Sequence, residues 1–228
     1  MKILAVDTTT NVLTAGLVEN GVIRAEYILD HKKAHSQKIM PVIEQVLSDT
    51  QTDISEIDLF AAANGPGSFT GIRIGLATVK ALAQATSKPV VPVNTLEALA
   101  YNAASFDKPV CALLDARNDS VYCAVYHFQD GKAVADLPPA HLPVEKLVEY
   151  LCGKQGGTIL TGNDVESFAD RIGEACSCRI LPPALRIPHA SSVARAALVN
   201  AAVPYDRINA YYINKPQAER EYEQRHGK

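Results

Sequence analysis

The sequence predicts an α/β protein built from two lobes, each with a mixed β-sheet flanked by helices. Segments with strand-like alternation are interleaved with segments whose apolar residues recur at helical spacing. The second half of the chain also repeats the order of the first in shorter form. The 228 residues are enough for two small cores, and we predict lobes at 1–106 and 107–205 followed by a charged tail at 206–228.

The first half opens with three strands that form an antiparallel meander. The pattern predicts them at 2–6, 12–18 and 22–29, with Asn20-Gly21 as the tight turn between the last two. The elements that follow are, in order, a helix at 36–47, a strand at 58–63, a helix at 70–85, a strand at 90–93 and a helix at 96–104. This order indicates a mixed sheet with helices on its faces.

The second half follows the same order with fewer recognisable elements. Its pattern predicts strands at 110–114, 121–128 and 133–135, a helix at 144–151, a strand at 158–160 and a helix at 191–203. The residues after 205 are charged and are interrupted by Pro216. They predict a tail that is flexible or is ordered by a partner.

Composition narrows the class of protein. Hydrophobic residues make up 47% and charged residues 21% of the chain, as in ordinary globular proteins. No apolar run approaches the roughly 18 residues of a membrane helix, and the first residues lack a secretion segment, so we expect no membrane contact and a cytoplasmic location. The formal charge of −3 argues against independent binding to RNA, because phosphate neutralisation needs a basic excess.

Cysteine and histidine residues predict neither disulfides nor a metal site. Cys176 and Cys178 are the close pair among five cysteines, an odd number that does not suggest a disulfide framework, so we expect reduced thiols. A zinc site needs about four well-spaced ligands, and no histidine lies near this pair. His31 and His35 are four residues apart, but no third ligand is evident and both are expected in an exposed connection.

A cofactor site is predicted where two polar turns follow strands. Asp7, Thr8 and Thr9 lie after the first strand, where hydroxyl and backbone N–H groups can face a phosphate. Gly65 and Gly67 lie between a buried strand and a helix, and a glycine loop at a helix N-terminus can bind an anion. The loop matches neither the dinucleotide fingerprint nor the P-loop. A plain polar turn and a structural strand-to-helix elbow remain as alternatives.

Two turns in the second half are weaker candidates for nucleotide contact. Asp115-Ala116-Arg117 ends a predicted strand, and Thr161-Gly162-Asn163-Asp164 ends another. Each is weak alone, and an ordinary turn is the default interpretation.

The helix at 70–85 is apolar on almost every face, which predicts burial on almost every face. We predict that it forms a protein–protein interface together with the helix at 36–47, because one sheet covers only one side of a helix. The predicted contact residues are Ile39, Val42, Ile43, Val46, Ile72, Leu76, Val79, Leu82 and Ala83. A core helix covered by its own neighbours is the alternative.

Four motifs together resemble the TsaB family, also called YeaZ. They are Asp7-Thr8-Thr9, His35-Ser36, the run Gly65-Pro66-Gly67-Ser68-Phe69-Thr70-Gly71-Ile72-Arg73-Ile74-Gly75, and Asp115-Ala116-Arg117. The resemblance implies the actin-like ATPase fold, shared by sugar kinases and Hsp70 and related to ribonuclease H. It also implies a subunit of the complex that transfers a threonylcarbamoyl group to adenosine 37 of tRNA.

The resemblance further implies partners and cofactors. The chain is expected to pair with a TsaD-like catalytic subunit, to be joined by a TsaE-like ATPase, to form a homodimer when isolated and to meet tRNA only indirectly. No cofactor is expected on this chain alone, whereas ATP or ADP is expected at the joint interface of the complex.

One departure from the catalytic relative implies that this chain is not the enzyme. The relative holds its metal with the pattern V-N-H-x-E-x-H, and the matching stretch here is Val93-Asn94-Thr95-Leu96-Glu97-Ala98-Leu99. Thr95 and Leu99 replace two imidazole ligands, and neither side chain is a good metal ligand. The alternative is a weak ATPase or a metallopeptidase-like enzyme, which would need intact phosphate loops or the missing histidines.

Overall fold

The computed structural model describes residues 1–30, 35–154 and 156–214. Its first lobe contains β1 (Lys2–Asp7), β2 (Val12–Glu19), β3 (Val22–Asp30), α1 (His35–Asp49), β4 (Leu59–Ala63), α2 (Phe69–Thr86), β5 (Val90–Val93) and α3 (Thr95–Tyr101). These eight elements confirm the predicted order. Asn20 and Gly21 both have positive φ in the β2–β3 turn, as the Asn-Gly pair predicts.

The second lobe repeats the same element order in full. It contains β6 (Val110–Arg117), β7 (Ser120–Gln129), β8 (Lys132–Pro143), α4 (Val144–Cys152), β9 (Thr158–Thr161), α5 (Ala169–Ala175), β10 (Cys178–Ile180) and α6 (Ala190–Ala197). The sequence pattern missed α5 and β10, which have only seven and three residues. The predicted helix at 191–203 ends at Ala197, and Val203 instead pairs with Val90 at the edge of β5.

The two sheets have the same strand order and direction. The first runs β3-β2-β1-β4-β5 and the second, in the matching sense, β8-β7-β6-β9-β10. In each, the first three strands are antiparallel and the last three are parallel. This duplicated arrangement confirms the predicted α/β class.

The last helix of each half packs against the sheet of the other half. Helices α1 and α2 cover one face of the first sheet, and α4 and α5 cover the outer face of the second. Helix α6 lies on the remaining face of the first sheet, whereas apolar residues of α3 join the core of the second sheet. The lobe boundaries at 106 and 205 stay predictions, but both crossing helices tie the lobes together.

Residues 203–214, which we call the strap, return to the first lobe. Ile208 is buried in the core beneath α1 and α2. The Asn64 carbonyl accepts a hydrogen bond from the Tyr211 N–H at 2.8 Å, and the Asn64 amide donates to the Asn209 carbonyl at 3.1 Å. The prediction of a tail that is flexible or ordered by a partner needs a correction for 206–214, because these residues pack on the first lobe of the same chain. Residues 215–228, the remainder of that tail, lie outside the described residues.

The cysteine prediction needs a correction. Cys152 at the end of α4 and Cys176 just after α5 are joined by a disulfide, with Cα atoms 4.8 Å apart. The sequence did not predict this pairing, because the two cysteines are 24 residues apart and meet only through α5, which the pattern missed.

Among the residues described, none of the helices has the length and hydropathy that a bilayer span requires.

Candidate functional site

The turn after β1 packs directly on the glycine elbow that precedes α2. The Thr9 carbonyl accepts a hydrogen bond from the Ser68 N–H at 2.7 Å, and the Thr8 hydroxyl donates to the Gly71 carbonyl at 2.7 Å. A Cβ atom at Gly67 would lie 2.3 Å from the Thr9 carbonyl oxygen, and one at Gly71 would lie 2.0 Å from that of Thr8. Glycine is therefore required for this close contact of two backbones.

The predicted cofactor residues lie together, but four of the five are buried, namely Asp7, Thr8, Thr9 and Gly65, whereas Gly67 is half-buried. Asp7, Thr8 and Thr9 are each about 1% exposed. The Thr9 N–H and hydroxyl both donate to Asp7 Oδ1 at 2.7 Å, and the Thr95 hydroxyl donates to that of Thr9 at 3.2 Å. Protein atoms thus occupy the groups that were predicted to face a phosphate. In this arrangement the turn is a packed polar joint, and cofactor binding there stays a prediction.

The carboxyl group of Asp7 has a strongly raised pKa in this joint. Burial raises the pKa of Asp7 to about 6, although the hydrogen bonds from Thr9 and the nearby His35 oppose this change. Its Oδ2 atom has no hydrogen-bond partner in the described part of the chain. His35 lies over the turn, with Nε2 at 2.8 Å from the Thr10 carbonyl oxygen. Asp7 therefore holds its charge at neutral pH at a cost in folding free energy.

Thr95 and Leu99, where the resemblance implies metal ligands in the catalytic relative, are packed in the core. Thr95 and Leu99 are fully buried at the start and middle of α3. The neighbouring Glu97 accepts both of its side-chain hydrogen bonds from Asn200 at 3.1 and 3.2 Å, and burial raises the pKa of Glu97. No group of three or more candidate metal ligands exists within the ranges described, and His31 lies outside them.

The two weak motifs of the second lobe are neighbours at the carboxyl ends of β6 and β9. The Asp115 N–H donates to Asp164 Oδ2 at 3.1 Å, and the Arg117 N–H donates to Asp115 Oδ1 at 2.7 Å. These contacts explain the residues as turn formers, and the structure leaves a nucleotide role there as a prediction.

Most of the predicted interface residues are buried inside this chain. Each of eight is at most 8% exposed and belongs to the core of this chain, namely Ile39, Val42, Ile43, Val46, Ile72, Leu76, Val79 and Ala83. Leu82 is the exception, because it is half-buried. The apolar pattern identified the faces that meet the first sheet, and contact of these side chains with a partner stays a prediction.

The exposed surface of the same two helices has a different composition. Met40, Ala77, Thr78, Ala81 and Leu82 line an open groove, which we call the α1–α2 groove. Met40 is 38% exposed, and both alanines are exposed. Sequence reasoning missed the first four residues, although small residues between buried helical positions were the available signal.

The strap covers the other flank of α2. The Tyr212 ring packs on Phe69 with centroids 4.8 Å apart, and its hydroxyl accepts a hydrogen bond from Arg73 Nε at 3.1 Å. Lys80 Nζ lies 3.5 Å from the Asp206 carbonyl oxygen. The strap thus covers a second side of α2, which is apolar on almost every face, and leaves the groove open.

The duplicated sheets and the crossing helices define a protein of the actin-like ATPase fold. Component A of (R)-2-hydroxyglutaryl-CoA dehydratase from Acidaminococcus fermentans has this fold, with a TM-score of 0.52 and 10% identity over 91% of this chain and 98% of that one. At this identity the likeness concerns the fold alone.

Closer relatives identify the family. YeaZ from Pseudomonas aeruginosa superposes with a TM-score of 0.82 at 26% identity over 92% of this chain and 99% of that one. The tRNA threonylcarbamoyladenosine biosynthesis protein TsaB of Bacillus subtilis is 34% identical over 164 residues, 72% of each chain. The protein of the same name from Escherichia coli is 29% identical over 217 residues, 85% of this chain and 94% of that one.

The family model described as TsaD, tRNA N6-adenosine threonylcarbamoyltransferase, matches residues 23–201. This chain belongs to the TsaB/YeaZ family, as its motifs predicted.

Proposed function

We propose that this chain is a non-catalytic, activating subunit that pairs with a TsaD-like transferase through the α1–α2 groove. Its family gives it a role in the threonylcarbamoyladenosine modification of tRNA. The observation that carries the pairing is the exposed apolar surface on two helices whose opposite faces are buried in the core. The exposed Met40, Ala77 and Ala81 side chains are available to a partner, whereas the core-facing side chains of both helices are not.

The shape of the groove suits an incoming helix. Ala77, Thr78 and Ala81 have short side chains, so the backbone of a partner helix can come close to α2. Met40 and Leu82 add larger apolar area at the side of the groove. In the absence of the transferase, the same surface on two copies of this chain forms a homodimer, which the transferase then replaces.

The non-catalytic part of the proposal rests on the residues at two positions. Thr95 and Leu99 stand where the resembling catalytic relative has histidines, and both side chains are packed in the core. We assign the metal chemistry to the partner for this reason.

With a formal charge of −3, this chain leaves most of the contact with tRNA to other subunits. A TsaE-like ATPase and ATP or ADP join at the assembled interface.

Replacement of Ala81 by glutamate tests the groove. Ala81→Glu places a charge in the centre of the apolar surface, and burying that charge on association weakens pairing at least about tenfold, or 1.4 kcal/mol. Isothermal titration calorimetry with the TsaD-like subunit measures the affinity. Unfolding experiments on the isolated variant verify that it is folded.

The matched control is Ala201→Glu, the same substitution at an exposed alanine after α6, a helix on the opposite face of the first sheet. It retains wild-type affinity. A charge at Val79 would not be informative, because this fully buried residue reports on folding. Equal affinities of Ala81→Glu and the wild type would rule out the groove as the contact surface.

A further inference from the structure

A disulfide links the two helices that cover the outer face of the second sheet. Cys152 is the last residue of α4 and is exposed, whereas Cys176 follows α5 and is 9% exposed. The Cα separation of 4.8 Å lies within the range that a disulfide requires without backbone movement. One accessible sulfur and one sheltered sulfur form an arrangement in which an external thiol or disulfide can react with the first.

We propose that Cys152 and Cys176 are a reversible dithiol–disulfide pair that fastens α5 to α4 when oxidised. A small disulfide of the glutathione class is the oxidant. The Cys152 thiolate attacks it, forms a mixed disulfide and releases one glutathione thiolate. The Cys176 thiolate then attacks the Cys152 sulfur and releases the second. The two cysteine protons pass to the two glutathione thiols, and two electrons reduce the oxidant.

Helix α5 is the shortest of the helices α4, α5 and α6. It has seven residues, and no side chain caps its N-terminus. A helix this short has little stability of its own and relies on tertiary contacts. Ile172 supplies a fully buried apolar contact, and the disulfide supplies a covalent one.

The position of α5 matters because Arg171 on this helix holds the β6–β7 turn. Its guanidinium donates two hydrogen bonds to the Asp119 carboxylate, at 2.6 and 2.9 Å, and lies 3.4 Å from Glu145 on α4. Arg117, Asn118 and Asp119 all have positive φ in this turn, which costs free energy in residues other than glycine. Fastening α5 therefore also supports the turn.

The test uses the full chain in mixtures of reduced and oxidised glutathione. After free thiols are alkylated, peptide mass spectrometry shows a Cys152–Cys176 link in oxidising buffer, and reduced glutathione removes it. The oxidised protein has a Tm higher by at least about 4 °C, because the link restricts the unfolded chain. Hydrogen exchange at residues 117–120 is slower in the oxidised form.

Two variants separate this pair from other thiol chemistry. Cys152→Ser removes an exposed sulfur and makes both Tm and exchange independent of the glutathione ratio. Cys178→Ser, the control, removes a nearby free cysteine on β10 and responds as the wild type does. A link through Cys178, no link in oxidised glutathione, or a link that leaves Tm unchanged would each overturn the proposal.

Discussion

Asp7 is the last residue of β1, and its carboxyl group is buried with the two threonines that follow it. Oδ1 accepts two hydrogen bonds from Thr9, whereas Oδ2 has no partner within the described ranges. The loss of hydration outweighs the hydrogen bonds, so the pKa of Asp7 rises from 3.8 to about 6. The folded state thus binds this proton more tightly than the unfolded chain does. From this residue alone, stability falls as pH rises from about 4 to about 6.

Asp7→Asn isolates this effect, because asparagine keeps the acceptor oxygen for Thr9 and removes the charge. The free energy of unfolding of the variant, minus that of the wild type, is expected to increase by about 2 kcal/mol between pH 4 and pH 7. Urea denaturation across this range measures the difference. A difference that does not change with pH would show that Asp7 titrates as an ordinary carboxyl group.

Helix α2 begins at an elbow whose glycines touch the turn after β1. The hydroxyl oxygen of Ser68 accepts a hydrogen bond from the Gly71 N–H at 3.2 Å and caps the helix. The backbone carbonyl of Thr8 lies where a side chain on Gly71 would have to be. The run of glycines thus serves the contact between β1 and α2, which in turn sets the position of the α1–α2 groove.

Gly71→Ala is therefore expected to lower the free energy of unfolding by about 2 kcal/mol or more, because a backbone carbonyl cannot move aside easily. Gly173→Ala is the matched control, since Gly173 lies in α5 and has no atom within 4 Å of the added Cβ. It raises the free energy of unfolding by about 0.5–1 kcal/mol through helix propensity. Similar effects of both changes on thermal unfolding would argue against the close contact.

Local patterns predicted most elements, whereas contacts between distant residues escaped prediction. Apolar spacing located all of β1 to α3, and the glycine run located the turn against which Thr8 and Thr9 pack. Periodicity also found the apolar face of α2, but it does not show which neighbour covers that face. The strap meets Arg73 across 139 residues of sequence, and the disulfide spans 24. Local sequence patterns could therefore predict neither contact.

At the scale of the whole molecule, the chain binds its two lobes together by crossing between them. Where it returns from the second lobe to α6, His189 Nδ1 lies 3.3 Å from Glu26 on β3 and Nε2 lies 2.8 Å from the Ala184 carbonyl oxygen. Both ring nitrogens face acceptors, which favours the charged imidazolium, and the hydrogen bond to Glu26 raises the pKa of His189. The first lobe, with its groove, thus depends on residues from the second half of the chain.

Reconstituted modification of tRNA tests the central claim most directly. The TsaD-like transferase and the TsaE-like ATPase are assayed for threonylcarbamoyladenosine formation without this chain, with the wild type and with Ala81→Glu. We predict that the wild type raises product formation at least about tenfold and that Ala81→Glu leaves it at the level without this chain. Full modification in the absence of this chain, or full activation by Ala81→Glu, would contradict an activating subunit that acts through the α1–α2 groove.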